Sequence, residues 1–196
     1  MPSLIQNYRK QQTITGLKKA YSVINQALRL SEIENGPYNT WENGRSIGPR
    51  AYIEKYWLPY FKEAHICDTP QKCGYTSNAP FKTIIGTKSN ATLTYEYYRI
   101  PFITGDGIMY SVSVAADTRE DTGIAIDING PKGPNKHGVD LFNFDRTDIG
   151  VILPLGNNLS SKEIDESVSS DIYCFNCAGK IIKDGWQIKD NYPAKF

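Results

Sequence analysis

From Pro2 to about Glu34 the chain carries one helical pattern, and its apolar stripe occupies only the second half. Leu17, Ala20, Tyr21, Ile24, Ala27 and Leu28 recur at three- and four-residue spacing, which places them on one side of a helix. Lys18, Lys19, Asn25, Gln26 and Arg29 fall on the other faces. Pro2 suits a first helical turn, and Asn35-Gly36-Pro37 supplies a stop: a glycine free to turn left-handed, then a proline that cannot continue. If continuous, such a helix is on the order of 50 Å long at ~1.5 Å per residue. Its first stretch, LIQNYRKQQTIT, offers only Leu4, Ile5 and Tyr8 as apolar anchors. A helix built this way is expected to pack its second half on a globular body and to leave its first half for partners elsewhere.

A second helix is expected at about residues 49–62, where Ile53, Tyr56, Trp57, Tyr60 and Phe61 form a broad stripe and Pro59 weakens the last turn. After residue 80 the period changes to two. TLTYEYY (92–98) alternates, and GIMYSVSVA (107–115) pairs with GIAIDIN (123–129) across the polar turn ADTREDT. LFNF (141–144) and IGVILP (149–154) follow as short strands, and an antiparallel meander is the expected product. NNLSSKEIDESVSS (157–170) reads as a loop or a short helix, and CAGKIIKDGW as a short helix ending at Gly185. Thirteen tyrosines, with only two methionines, fit half-buried strands. The fold class is therefore α+β.

A net charge of +1 with interspersed signs gives no support for a nucleic-acid partner. The four cysteines form two close pairs, Cys67 with Cys73 and Cys174 with Cys177. Disulfides in an oxidising compartment are preferred over a four-thiolate zinc site, because the first pair is wider than a zinc knuckle and no histidine supports it. Three connectivities exist, and the two local pairs are favoured. An oxidised chain should be exported, yet no signal peptide or bilayer-spanning run is present in these residues.

Enzyme motifs are not found. There is no Gly-x-Ser-x-Gly elbow and no His-Glu-x-x-His, and GTKS (86–89) lacks the spaced glycine of a phosphate loop. His65 and His137 stand in polar contexts and are expected at the surface, as are Asp184 and Asp190. The reading is a non-enzyme. DINGPKGPNKHGVD (127–140) is the richest local signal. Asp127, Asn129 and Asp140 supply oxygens for a hard cation such as calcium, but Gly130 comes two residues early for an EF-hand loop and the distal Glu is missing. A compound turn is preferred, with Asn129-Gly130 and Gly133-Pro134-Asn135 as its corners and both aspartates bonding its amides.

These parts resemble a known group. LKKAYSVINQAL (17–28), ENGPYNTW (34–41) and the opening MPSLIQNYRKQ are similar to the segment that follows the membrane anchor in bacterial type IV pilin-like proteins and type II secretion pseudopilins. DINGPKGPNKHGVDLFNF and CAGKIIKDGWQIKDNYP resemble stretches found in one branch of that group. The resemblance implies a pilin-like fold: residues 1–36 as the second half of the long helix, residues 37–196 as the head. It also implies a filament subunit without enzymatic activity, partnered by other copies and related pilins. Leu4, Ile5, Tyr8, Leu17, Tyr21, Ile24 and Leu28 are then the packing and assembly positions. Group members open with a basic leader, a cleavage site and ~20 apolar residues that span the membrane. The expectation is that this chain is a soluble extracytoplasmic fragment cut before Met1. The full-length protein would meet the inner membrane and assembly machinery and end in a periplasmic or surface filament. Calcium in the head is a further trait of the group's major pseudopilins. The competing expectation is a monomeric extracellular module that binds carbohydrate or another adhesion ligand through exposed tyrosines.

Overall fold

Helix α1 runs Pro2–Asn35, and the chain leaves it at Gly36 with φ 78°, the left-handed exit expected for that position. The computed structural model describes residues 2–91, 99–114, 123–147 and 150–196. The other described residues form a six-stranded sheet and four short α-helices. Strands β1 (His65–Ile66), β2 (Arg99–Ile103), β3 (Met109–Ser113), β4 (Gly123–Asp127), β5 (Leu141–Arg146) and β6 (Ile152–Pro154) pair antiparallel in chain order. The expected meander is thus present; the alternation at 92–98 and the turn at 116–122 lie outside the described residues.

Strand register explains the core. Phe102 pairs with Tyr110, Tyr110 with Ile126 and Ile126 with Phe142, so one row of large side chains crosses the sheet. Ile100, Val112, Ile124 and Phe144 form a second row on the same face. Both rows share one core with Ile14, Leu17, Ala20, Ile24 and Leu28 of α1. The opposite face carries Ile103, Met109, Asp127 and Leu141 in register and packs under the Cys67–Cys73 loop with Tyr75 and Phe81.

The second helical segment is shorter than its pattern predicts. Helix α2 spans Gly44–Ile47, α3 spans Pro49–Tyr56, and the chain breaks at Trp57 before a 3-10 turn at Leu58–Tyr60. Pro59 lacks the N–H and crowds the preceding turn, which ends the α-helix earlier than residue 62. Its aromatics still converge: Trp41 stacks on Tyr56 at 4.4 Å between ring centroids. Of the predicted stripe only Tyr60 stays half-buried, its hydroxyl donating to Glu34 Oε2 (2.8 Å) at the end of α1.

Residues 157–170 resolve as a turn followed by α4 (Ser161–Ser170), started by a capping box in which Ser160 and Glu163 bond each other's backbone N–H. Helix α5 covers Cys177–Lys183. Lys180 joins α4 to the chain after α5, with Asp165 at 2.6 Å and Asp184 at 2.7 Å. Asp184 is therefore not the surface charge expected: it lies half-buried between Lys180 and Lys189, and these cations hold its carboxyl below the usual range against the opposing effect of burial.

Candidate functional site

The helix and the loop 127–140 form one unit. Along α1 the first buried positions are Thr13 and Ile14, and from there Leu17, Ala20, Ile24, Ala27, Leu28 and Ser31 are all buried. Before them the chain stands in solvent, with Leu4 75 %, Ile5 56 % and Tyr8 63 % exposed. The seven assembly positions therefore divide into Leu17, Ile24 and Leu28 inside the core, Tyr21 stacked on Phe144 at its edge, and Leu4, Ile5 and Tyr8 outside it.

The loop seats the helix where burial starts. Thr13 donates to the Val139 carbonyl at 2.9 Å. Gly16 comes so close to the sheet that a Cβ there would lie 3.1 Å from Ile128. One feature of this docking has no counterpart in the apolar pattern. Asn25, placed by spacing on a polar face, is half-buried and pairs with the backbone of edge strand β6, donating to Ile152 O (3.2 Å) and accepting from Ile152 N (3.0 Å). Its amide continues the ladder where no further strand pairs with β6 among the described residues, which a polar residue at helical spacing could have signalled only with the sheet in view.

Within the loop, both aspartates point inward. Asp127 is fully buried and accepts from the Tyr75 hydroxyl (2.9 Å) and the Asn129 N–H (3.3 Å). Asp140 accepts from the backbone N–H of Asn135 (2.7 Å) and of Lys136. Asn129 donates to Gly133 O at 2.9 Å. The turn reading is thus realised, with Gly130 (φ 61°) and Asn135 (φ 53°) in the left-handed region at its corners. Burial, then the nearby Asp140 charge, pushes the Asp127 carboxyl well above the usual carboxylate range. Burial likewise raises Asp140 to about 6, against the pull of the amides it accepts from. Burial and the Asp127 carboxylate also raise the Tyr75 hydroxyl.

His137 is not at the surface. It is buried in the same loop, its Nε2 3.0 Å from Ser89 Oγ, with the rings of Phe81, Tyr173 and Phe175 edge-on around it. Burial lowers it from its ordinary 6.5 to about 4, outweighing the Tyr173 backbone and the Asp171 charge. A loop rich in glycine, lysine and proline looks solvent-facing; the aromatic residues that enclose the ring come from segments far away in sequence. His65 is exposed, as expected.

The bonded cysteine pairs are the two local ones, Cys67–Cys73 and Cys174–Cys177. The first closes the loop that carries Tyr75 toward Asp127; the second lies at the start of α5, beside Gly138 of the seating loop, where an added Cβ would fall 2.9 Å from Cys177 Sγ. A cleft of about 740 Å³ opens where α1 leaves the head, lined by Arg9, Gln12, Lys132, Lys136 and Lys195 among others. Four cations, Arg9, Lys132, Lys136 and Lys195, outnumber the one acidic side chain in its lining, Asp140, and could hold an anionic group. Burial lowers Lys136, with Lys195 and Lys82 adding to that and Asp140 opposing it. Among the described residues no group of three or more His, Cys, Asp or Glu converges as a metal site, and no helix is long and apolar enough to cross a membrane.

Among known proteins, residues 3–85 match a family of unknown function (DUF6613). That stretch covers most of α1, the aromatic segment and the first disulfide loop, and ends before β2. No curated protein and no solved structure matches the chain.

Proposed function

We propose that the protein is a non-enzymatic subunit of a pilin-like filament, a type IV pilus or a type II secretion pseudopilus, and that it assembles through the exposed first half of α1. One observation carries this reading. A single helix is buried along Thr13–Ser31 against an antiparallel meander and then extends past its own head with Leu4, Ile5 and Tyr8 exposed. A soluble monomer gains nothing from holding three large apolar side chains on a projecting helix, whereas a subunit covers them with its neighbours. The two disulfides suit a head that works outside the cytoplasm. In the full-length protein the same helix would continue upstream into a membrane anchor, so inner membrane and assembly machinery are its first partners.

The test is the coding sequence directly before Met1, together with electron microscopy of the cells that make the protein. An upstream run of ~20 apolar residues and filaments that react with antibody to this head are expected. A cleavable secretory signal and only monomer would overturn the proposal in favour of an extracellular binding module.

Calcium at Asp127, Asn129 and Asp140 is a second part of the proposal. The buried Asn129 Oδ1 has no hydrogen-bond partner, and two raised carboxyls beside it would be neutralised by a divalent cation. Because both carboxylates already accept hydrogen bonds, the loop is formed without the ion. Titration of the protein should therefore show saturable binding and a higher Tm; an unchanged Tm and no bound ion at millimolar calcium would leave the turn alone.

A further inference from the structure

A groove of about 600 Å³ runs along the docked half of α1, where that helix meets the residue that follows α5. Lys18, Ser22, Asn25 and Arg29 recur at four-, three- and four-residue spacing and form one stripe along it, beside the buried stripe. At ~1.5 Å per residue the two cations at its ends stand about 16 Å apart along the helix. Tyr21 and Trp186 supply the aromatic wall and rest on the main core, their ring centroids 6.1 Å apart.

The backbone holds Trp186 in this wall against its own preference. Helix α5 ends in a Schellman stop, with the Gly185 N–H donating to Ile182 O (3.0 Å) and the Trp186 N–H to Ile181 O (2.8 Å). Gly185 takes the left-handed conformation (φ 73°) that such a stop asks of a glycine, but Trp186 follows it at φ 60°. That conformation is unfavourable for a bulky side chain, and residues held in it cluster at ligand-binding positions. The indole ends half-buried beside α1, with the Lys18 ammonium 5.3 Å from its ring centre.

The polar groups around the ring are unpaired. Lys18 and Arg29 make no ion pair among the described residues, and none of the described residues lining the groove is acidic. Ser22 and Gln26 are exposed, and their side chains make no hydrogen bond among the described residues. Burial raises the Tyr21 hydroxyl above its ordinary range and the Arg29 charge opposes this, which sets the guanidinium close to that hydroxyl.

We infer that this groove binds a short stretch of acidic oligosaccharide, a chain of uronate sugars. One pyranose ring lays its C–H groups on the indole face, and its hydroxyls meet Ser22 and Gln26. Carboxylates on separate sugars reach Lys18 and Arg29, Lys18 turning from the ring to the carboxylate as the sugar takes its place. Other anionic chains fit less well. Asn25 already occupies the Ile152 backbone groups, so an acidic peptide cannot extend the sheet from β6 at this point. Two cations are few for a nucleic acid, which carries a charge at every nucleotide. The site belongs to the head and does not depend on the filament reading.

The test is titration calorimetry of the full chain with oligogalacturonate and oligomannuronate, set against neutral maltohexaose, oligoglutamate and oligothymidylate of similar length. Saturable binding of a uronate oligomer is expected, about tenfold tighter than maltohexaose through its two ion pairs. Lys18→Gln and Arg29→Gln, both at exposed positions, should each weaken it about two- to fivefold. Trp186→Ala should weaken it about tenfold, and Trp186→Phe, which keeps a ring, should restore most of the loss. Lys132→Gln, in the cleft where α1 leaves the head, should change nothing. No uronate binding at millimolar concentration, or equal binding of maltohexaose, would overturn the proposal. So would tighter binding of oligoglutamate or oligothymidylate, or uronate binding that Trp186→Ala leaves unchanged.

Discussion

Leu4 and Leu17 occupy one uninterrupted helix, yet the first lies in water and the second is wholly buried. Helix propensity does not separate the two halves of α1; the sheet does. The docked half is held by side chains in the main core, by Asn25 on β6 and by Thr13 on the seating loop. Among the described residues the free half has its own backbone bonds and a Gln12–Tyr8 side-chain bond of 3.0 Å. Segments of that length are marginal helices in isolation, so the first turns persist because they propagate from a docked nucleus. Docking makes one half a structural beam and leaves the other half as surface available to a partner.

Amide exchange should break the comparison most sharply. Backbone N–H groups at residues 17–28 are expected to exchange only on global unfolding, and those at 5–10 near the rate of open chain, a gap of several kcal/mol. Equal protection in a monomer would show that the first half is stabilised by something other than docking.

Core truncation comes next. Leu17→Ala should cost about 2–5 kcal/mol in urea unfolding through the cavity it leaves.

Proton linkage tests the seat itself. His137 has a depressed folded value, so its contribution is present above its ordinary 6.5 and is lost as pH falls toward about 4. The size is on the order of 3 kcal/mol. Asp140 has a raised folded value of about 6, so its contribution is present at low pH and is lost as pH rises from 3.8 through that value. The two oppose each other in one window. Asp127, raised in the same loop, acts in the same direction as Asp140, so His137→Gln should make stability fall more steeply with rising pH between pH 4 and 6.5, and Asp140→Asn should make it fall less, both read from urea midpoints.

A smaller effect is expected at the sheet edge. Asn25→Ala leaves the Ile152 backbone groups without their side-chain partner and should cost about 1–3 kcal/mol. Tyr8→Ala, by contrast, should change monomer stability by no more than about 0.5 kcal/mol. A larger loss there would mean that the free half is not free.

Much of this was legible in the residues. The stripe Leu17–Leu28 named the docked half because helical spacing repeats locally, and alternation from residue 107 onward named β3, β4 and β5 for the same reason. The local cysteine pairs could be favoured because short separations leave little else within reach. His137 was misplaced because burial depends on what covers a residue, and its cover, Tyr173 with Phe175, comes from another segment; Asp184 was misplaced although its partners Lys180 and Lys189 stand only a few residues away, because only the fold brings both to one carboxylate. The loop 127–140 showed its turn residues at once; its task of seating α1 did not show.

By itself the sequence determined the helix, the strand period and the turn chemistry and favoured the local cysteine pairs, all through neighbours within a few residues. Tertiary structure alone decided where α1 leaves the head, since that point depends on Gly16 meeting Ile128 and Thr13 meeting Val139 across more than a hundred residues of chain. Contacts between distant segments leave no periodic trace, and only the folded chain brings them together.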